Sequence, residues 1–120
     1  MKKILIVEDE PILREIFCEG LMREGFHVDT AKNGAEARKY FYHASKPDLL
    51  IMDIKLPDDS GIRLFQEFRK IIPDLMVMVI TAYDCFQSDY ELWSANIAAY
   101  MVKPINLDDL ISKVRQILPE

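Results

Sequence analysis

The sequence predicts an α/β domain built on a doubly wound parallel sheet, and three observations carry that expectation. Aliphatic runs of strand length alternate, five times along 120 residues, with segments of helical apolar spacing. The runs Ile4-Leu5-Ile6-Val7 and Leu49-Leu50-Ile51-Met52 are apolar throughout, as strands buried on both faces are. Acids follow both runs at once, Glu8 and Asp9 after the first and Asp53 after the second.

Each element can be justified in turn. Lys3 to Val7 reads as a buried strand, and Ile12, Leu13, Ile16, Phe17 and Leu21 recur at helical spacing until Gly25 stops the pattern. Phe26 to Thr30 is a short second strand. Asn33-Gly34 opens a helix whose Ala37, Tyr40, Phe41 and Ala44 face one way, and Lys46-Pro47 ends it. Asp48 to Asp53 is the most hydrophobic strand. The Pro57-Asp58-Asp59-Ser60-Gly61 turn and a helix carrying Ile62, Phe65, Phe68 or Arg69, and Ile72 follow it, and Pro73-Asp74 terminates that helix. Leu75 to Ile80 is a fourth strand, Phe86, Tyr90 and Trp93 mark a fourth helix, and Ala99 to Val102 is a fifth strand before Pro104. Asn106 can cap a last helix, with Asp108 and Asp109 in its first turn. Leu107, Leu110, Ile111, Val114, Ile117 and Leu118 form its apolar stripe.

Right-handed crossovers place the helices on both faces of such a sheet, giving a flavodoxin-like (βα)5 domain, and the strand order 2-1-3-4-5 is borrowed from known folds of that shape. Strands 1 and 3 are then neighbours, and Glu8, Asp9 and Asp53 converge in the crevice at their carboxyl ends. Three carboxylates there repel one another unless a hard divalent cation sits among them, which predicts Mg²⁺. Asp58, Asp59, Asp84, Asp108 and Asp109 fall in turns or helix starts, where solvation or capping accounts for them. His27 and His43 lie away from the acids and read as ordinary surface or partly buried histidines.

A chain of this length, half of it hydrophobic, suits one domain over residues 1–120. The net charge is −5 and no stretch concentrates Lys and Arg, so a nucleic-acid or membrane-surface binder is not expected. Cys18 and Cys85 have no CxxC spacing, Met1-Lys2-Lys3 leads into only four aliphatic residues, and no apolar run approaches membrane-spanning length. These features predict a reducing, cytoplasmic setting.

With Glu8-Asp9 after strand 1, Asp53 ending strand 3, Pro57 and Gly61 in the next turn, Thr81-Ala82 after strand 4 and Lys103-Pro104 after strand 5, the chain resembles the receiver domain of bacterial two-component response regulators. The resemblance covers essentially the whole sequence. It implies transfer of a phosphoryl group from the phosphohistidine of a histidine kinase or histidine phosphotransferase to Asp53. It also implies Mg²⁺ held by Asp9, Asp53, Glu8 directly or through water, and the backbone carbonyl of Lys55. Lys103 and Thr81 would stabilise the phosphoryl oxygens, since an aspartate is a weak nucleophile and charge neutralisation must do most of the work. Thr81 and Tyr100 would move together as a switch, shifting a face made by the fourth helix, fifth strand and last helix. Trp93 is a candidate partner anchor near that face.

Lys55, Ala82 and Tyr83 occupy positions flanking the phosphoryl group. The cation and the ring predict a phosphoaspartate longer lived than in fast chemotaxis signalling, and the pair is similar to that of single-domain phosphorelay receivers. Asn96 stands where many receivers have glycine, and Asn tolerates the left-handed backbone. The resemblance implies a signalling domain that promotes its own phosphorylation and dephosphorylation rather than an enzyme acting on other substrates. Its target or attached output domain is unspecified, and phosphorylation-dependent homodimerisation is a family habit. A receiver used as an unphosphorylated interaction module is the alternative. A Mg²⁺-dependent phosphohydrolase of the haloacid-dehalogenase type would need a second acid where Asp53-Ile54-Lys55 has Lys55, and Glu8-Asp9-Glu10 would repel a flavin phosphate.

Overall fold

A computed structural model describes residues 1–43, 46–82 and 97–119. Five parallel strands, β1 (Lys3–Val7), β2 (His27–Ala31), β3 (Leu49–Met52), β4 (Met76–Thr81) and β5 (Ala99–Val102), form one sheet in the order β2-β1-β3-β4-β5. The described helices are α1 (Pro11–Arg23), α2 (Gly34–His43), α3 (Gly61–Ile71) and a C-terminal helix, Leu107–Ile117. The expected fourth helix, with Phe86, Tyr90 and Trp93, and also Ala44, Asp84, Cys85 and Asn96, lie outside the described residues. Expected strand ends are off by a residue in places: β2 begins at His27 rather than Phe26, and β4 ends at Thr81 rather than Ile80.

The uninterrupted apolar runs are explained by burial on both faces. Leu5, Val7, Leu50, Met52, Val77 and Val79 point to one face, where they pack under α2 and α3. Ile4, Ile6, Leu49, Ile51, Met78 and Ile80 point to the other, against Phe17 and Leu21 of α1 and Leu110 and Val114 of the C-terminal helix. Phe41 and Phe68 stack nearly parallel at 3.9 Å between centroids, tying α2 to α3. The helical stripe of α1 is only half covered: Phe17, Gly20 and Leu21 are buried, whereas Ile12 is 74% exposed and Ile16 also faces outward.

Helix ends follow local chemistry. Gly25 has φ +96°, and the amides of Gly25 and Phe26 bond back to the carbonyls of Met22 and Leu21, a Schellman stop that needs a left-handed residue. Asn106 Oδ1 accepts from the amides of Asp108 and Asp109, as the cap expectation requires. Asp58 caps a helix other than its own: its carboxylate accepts from Gly34 N at 2.8 Å and Ala35 N at 2.9 Å, pinning the loop after β3 to the start of α2. Asp59 instead pairs with Arg38 at 2.5 Å, and that guanidinium holds its carboxyl below the usual carboxylate range. His27 is exposed and pairs at 3.0 Å with Asp29, the acid two places along β2. Among the described residues no helix is long and apolar enough to cross a membrane.

Candidate functional site

The register sets the site. Val7 of β1 lies opposite Met52 of β3, so the residues that follow, Glu8 and Asp53, leave the sheet side by side. Asp53 N bonds to the Val7 carbonyl at 3.1 Å, and Glu8 N bonds to Ala31 on the other flank at 3.0 Å. Ligand atoms of Glu8, Asp9 and Asp53 all fall within 4.8 Å of one another. The expected convergence is present.

Lys103 reaches the same point from the far side of the sheet. Thr81 pairs with Val102 in the register of β4 and β5, and Lys103 N then bonds to the Thr81 carbonyl at 2.8 Å. The Lys103 ammonium, on a side chain only 11% exposed, lies 2.8 Å from Glu8 Oε1, 2.9 Å from Asp53 Oδ2 and 2.6 Å from Glu10 Oε2. Burial alone would lower the lysine's pKa, but the close carboxylates of Glu10, Glu8 and Asp53 outweigh it and raise the pKa. Glu8 moves the other way in charge preference: its complete burial raises its pKa, and the share it receives of one lysine does not cancel that cost. The two shifts are consistent because three acids serve the lysine, while the lysine is divided among three acids.

The remaining expected residues surround this cluster. Asp53 Oδ1 accepts from the Lys55 amide at 3.1 Å, and Lys55 itself is exposed at the mouth. Thr81 is fully buried at the end of β4. Tyr100 is partly buried opposite Val79 in β5 and packs against the core on the α2 and α3 face. Ala82 is exposed and, with Asp9, Glu10, Asp53, Lys55, Leu56, Pro57 and Lys103, lines a cleft of about 440 Å³. Tyr83 lies outside the described residues. Two contributions to the site do not show in the sequence, although Gly61 stands there as a turn landmark. Glu10 completes the lysine's acidic surround, and Gly61 lets the start of α3 press on the Asp53 backbone, where a Cβ would overlap the Asp53 carbonyl oxygen and lie 2.9 Å from Ile54 Cα.

The donor set suits a hard cation. Three carboxylates supply oxygen alone, and Glu8 Oε1 is buried and accepts no hydrogen bond among the described residues, its contact with Lys103 lacking hydrogen-bond geometry. Mg²⁺, which keeps several waters, fits so small a protein ligand set.

Comparison with known families decides the relationship, because the response regulator receiver domain family matches residues 4–115. The chain belongs to that family. This receiver is 30% identical over 118 residues to the virulence transcriptional regulatory protein PhoP of Salmonella typhimurium, a match covering 98% of the chain and 52% of PhoP. It thus spans about half the length of the curated relatives it matches. Among solved structures it resembles the response regulator TrrA of Thermotoga maritima in complex with Mg²⁺-BeF, with 43% identity, a TM-score of 0.86, and coverage of 98% of this chain and 100% of that one. A structure of TrrA in complex with the histidine kinase ThkA also matches, at 42% identity and a TM-score of 0.84, covering 98% and 99% of the two chains. The receiver fold and strand order expected from sequence are those observed.

Proposed function

We propose that this receiver accepts a phosphoryl group on Asp53 from the phosphohistidine of a histidine kinase or histidine phosphotransferase. The carrying observation is that Asp53, at the end of the central strand, lies at metal-binding separation from two further carboxylates and lines one cleft with a largely buried lysine. In the transfer a carboxylate oxygen of Asp53 attacks phosphorus, the P–O bond forms as the P–N bond breaks, and the electron pair stays on the imidazole nitrogen. Lys103 neutralises charge on the phosphoryl oxygens, and the Thr81 hydroxyl donates to one of them. Glu8, Asp9, Asp53 and the Lys55 carbonyl would hold Mg²⁺, which supplies further charge neutralisation when bound.

Loading would draw Thr81 toward the phosphoryl group and turn Tyr100 into the space it leaves, changing the surface around β5 and the C-terminal helix. Lys55, Ala82 and Tyr83 would govern access of water to the acyl phosphate. The ThkA–TrrA complex and the transcriptional regulators among the relatives support a histidine-kinase donor and a downstream target or output domain. The same reading places the protein in the cytoplasm, with homodimerisation as one output of phosphorylation.

Purified protein mixed with Mg²⁺ and acetyl phosphate, read by intact mass, should gain one phosphate, and Asp53→Asn should abolish the gain. Phosphate retained by the variant removes Asp53 as acceptor. Many-turnover hydrolysis of unrelated phosphoesters would instead indicate a phosphohydrolase, and no uptake from donor or kinase would leave an unphosphorylated interaction module.

A further inference from the structure

Glu10 occupies the N-cap position of α1, directly before Pro11, yet its side chain makes no cap hydrogen bond. Its carboxylate turns the other way, across the cleft, to Lys103 Nζ at 2.6 Å, nearer than either Glu8 or Asp53. The backbone that aims it is fixed on both sides. Glu10 N donates to Glu8 Oε2 at 3.1 Å, and the Glu10 carbonyl accepts from Arg14 N at 3.0 Å. Unlike the buried Glu8, Glu10 is 56% exposed and lines the mouth of the cleft. It lies outside the three-carboxylate cluster that suits a cation.

An ammonium has three donor hydrogens, and this one is bonded to Glu10 and Asp53 while Glu8 Oε1 crowds its remaining side at 2.8 Å. A phosphoryl group arriving at Asp53 needs the same cation, so one of the acids has to yield. Glu8 is fully buried and Asp53 is the acceptor, which leaves the exposed Glu10 as the partner that can be displaced into water. Until it is displaced, its charge also stands where an anionic donor must enter.

We propose that Glu10 is a positioning residue that tethers Lys103 at the cleft mouth and competes with the phosphoryl oxygens for its ammonium, restraining phosphorylation of Asp53. The inference rests on the phosphoacceptor reading above. An ion pair this exposed is worth little, so the expected effect is modest.

The test uses Glu10→Gln and Glu10→Asp, with Mg²⁺ and beryllofluoride affinity measured by calorimetry and acetyl phosphate labelling followed by intact mass. Glu10→Gln should bind beryllofluoride and label about twofold to fivefold better than the parent, with an unchanged urea midpoint. Glu10→Asp keeps the charge but shortens the reach by one methylene, so a tether predicts that it gains as Glu10→Gln does. If Glu10→Gln matches the parent, or if it gains while Glu10→Asp matches the parent, the tether is overturned, the second result leaving only charge at the mouth. In either case a parent that labels at Asp53 keeps its receiver role. A parent that binds no beryllofluoride and takes no phosphate overturns the receiver reading itself, and the proposal with it.

Discussion

At the scale of single residues, the site is a problem of charge placed where water is scarce. Glu8 is buried beside Asp53, and one lysine serves both together with Glu10. A simpler case sits at the sheet edge, where the Tyr40 hydroxyl donates to Asp29 Oδ2 at 2.9 Å. Burial and this bond to a carboxylate push the phenol up to about 12. A raised folded-state pKa stabilises the fold below the unfolded value, near 10, and that contribution fades as pH rises from there toward 12. Tyr40→Phe should therefore cost about 1 kcal/mol by urea unfolding at pH 7 to 9, the partial exposure of the pair keeping it this small, with the deficit shrinking above pH 10. A deficit that stays constant through that range would show the bond is not what the hydroxyl contributes. At this scale the sequence pointed to Glu8, Asp9, Asp53 and Lys103 because each stands within two residues of the end of an apolar strand. It did not disclose the pairing of Glu10 with Lys103, which joins residues 93 apart in sequence through a side chain turned away from its own helix. Spacing along one element carries no record of such a turn.

At the scale of elements, the loop after β3 is held from two sides. Asp58 caps α2, and Gly61 seats α3 against the Asp53 and Ile54 backbone, where its own amide bonds to the Ile54 carbonyl at 2.6 Å. Gly61→Ala should cost about 2 kcal/mol from overpacking. Because the clash falls on the Asp53 backbone, it should also slow labelling by acetyl phosphate on the order of tenfold or more. Gly25→Ala is the control: it strains a left-handed position by about 1 kcal/mol but lies at the far end of α1 from the acids, so labelling should be unchanged. Equal labelling by both variants would separate the α3 contact from the chemistry. Elements were readable where burial imposed a pattern, as in β1, β3 and the C-terminal helix. Periodicity says which residues share a face and not whether anything covers it, which is why Ile12 and Ile16 read like core residues and are exposed. Likewise, Asp58 was readable as a capping residue, but the helix it caps lies 24 residues upstream and is fixed only by the tertiary packing of α2 beside α3.

At the scale of the whole molecule, the sheet assembles the site and a bound ion should in turn stabilise the sheet. At a Mg²⁺ concentration 100 times its dissociation constant, the native state gains about 2.7 kcal/mol, a shift readable in the urea midpoint. Asp53→Asn should reduce that shift, and an equal shift in the variant would place the ion elsewhere. The doubly wound class was readable because parallel buried strands restrict the topologies available, whereas the order β2-β1-β3-β4-β5 came from likeness to known folds of that class, and the site followed from it since the crevice lies where β1 and β3 adjoin. One further consequence belongs to the chain's assembly. The ammonium that offsets Glu8 and Asp53 arrives on residue 103, and the acids it offsets stand at 8, 10 and 53. Any nascent chain or fragment ending before β5 carries the acids without their counter-charge, and contacts so distant in sequence are among the last to reward folding. The lysine's share of the charge balance at the crevice therefore requires the chain through β5, and phosphate uptake on Asp53 would report that β5 had docked.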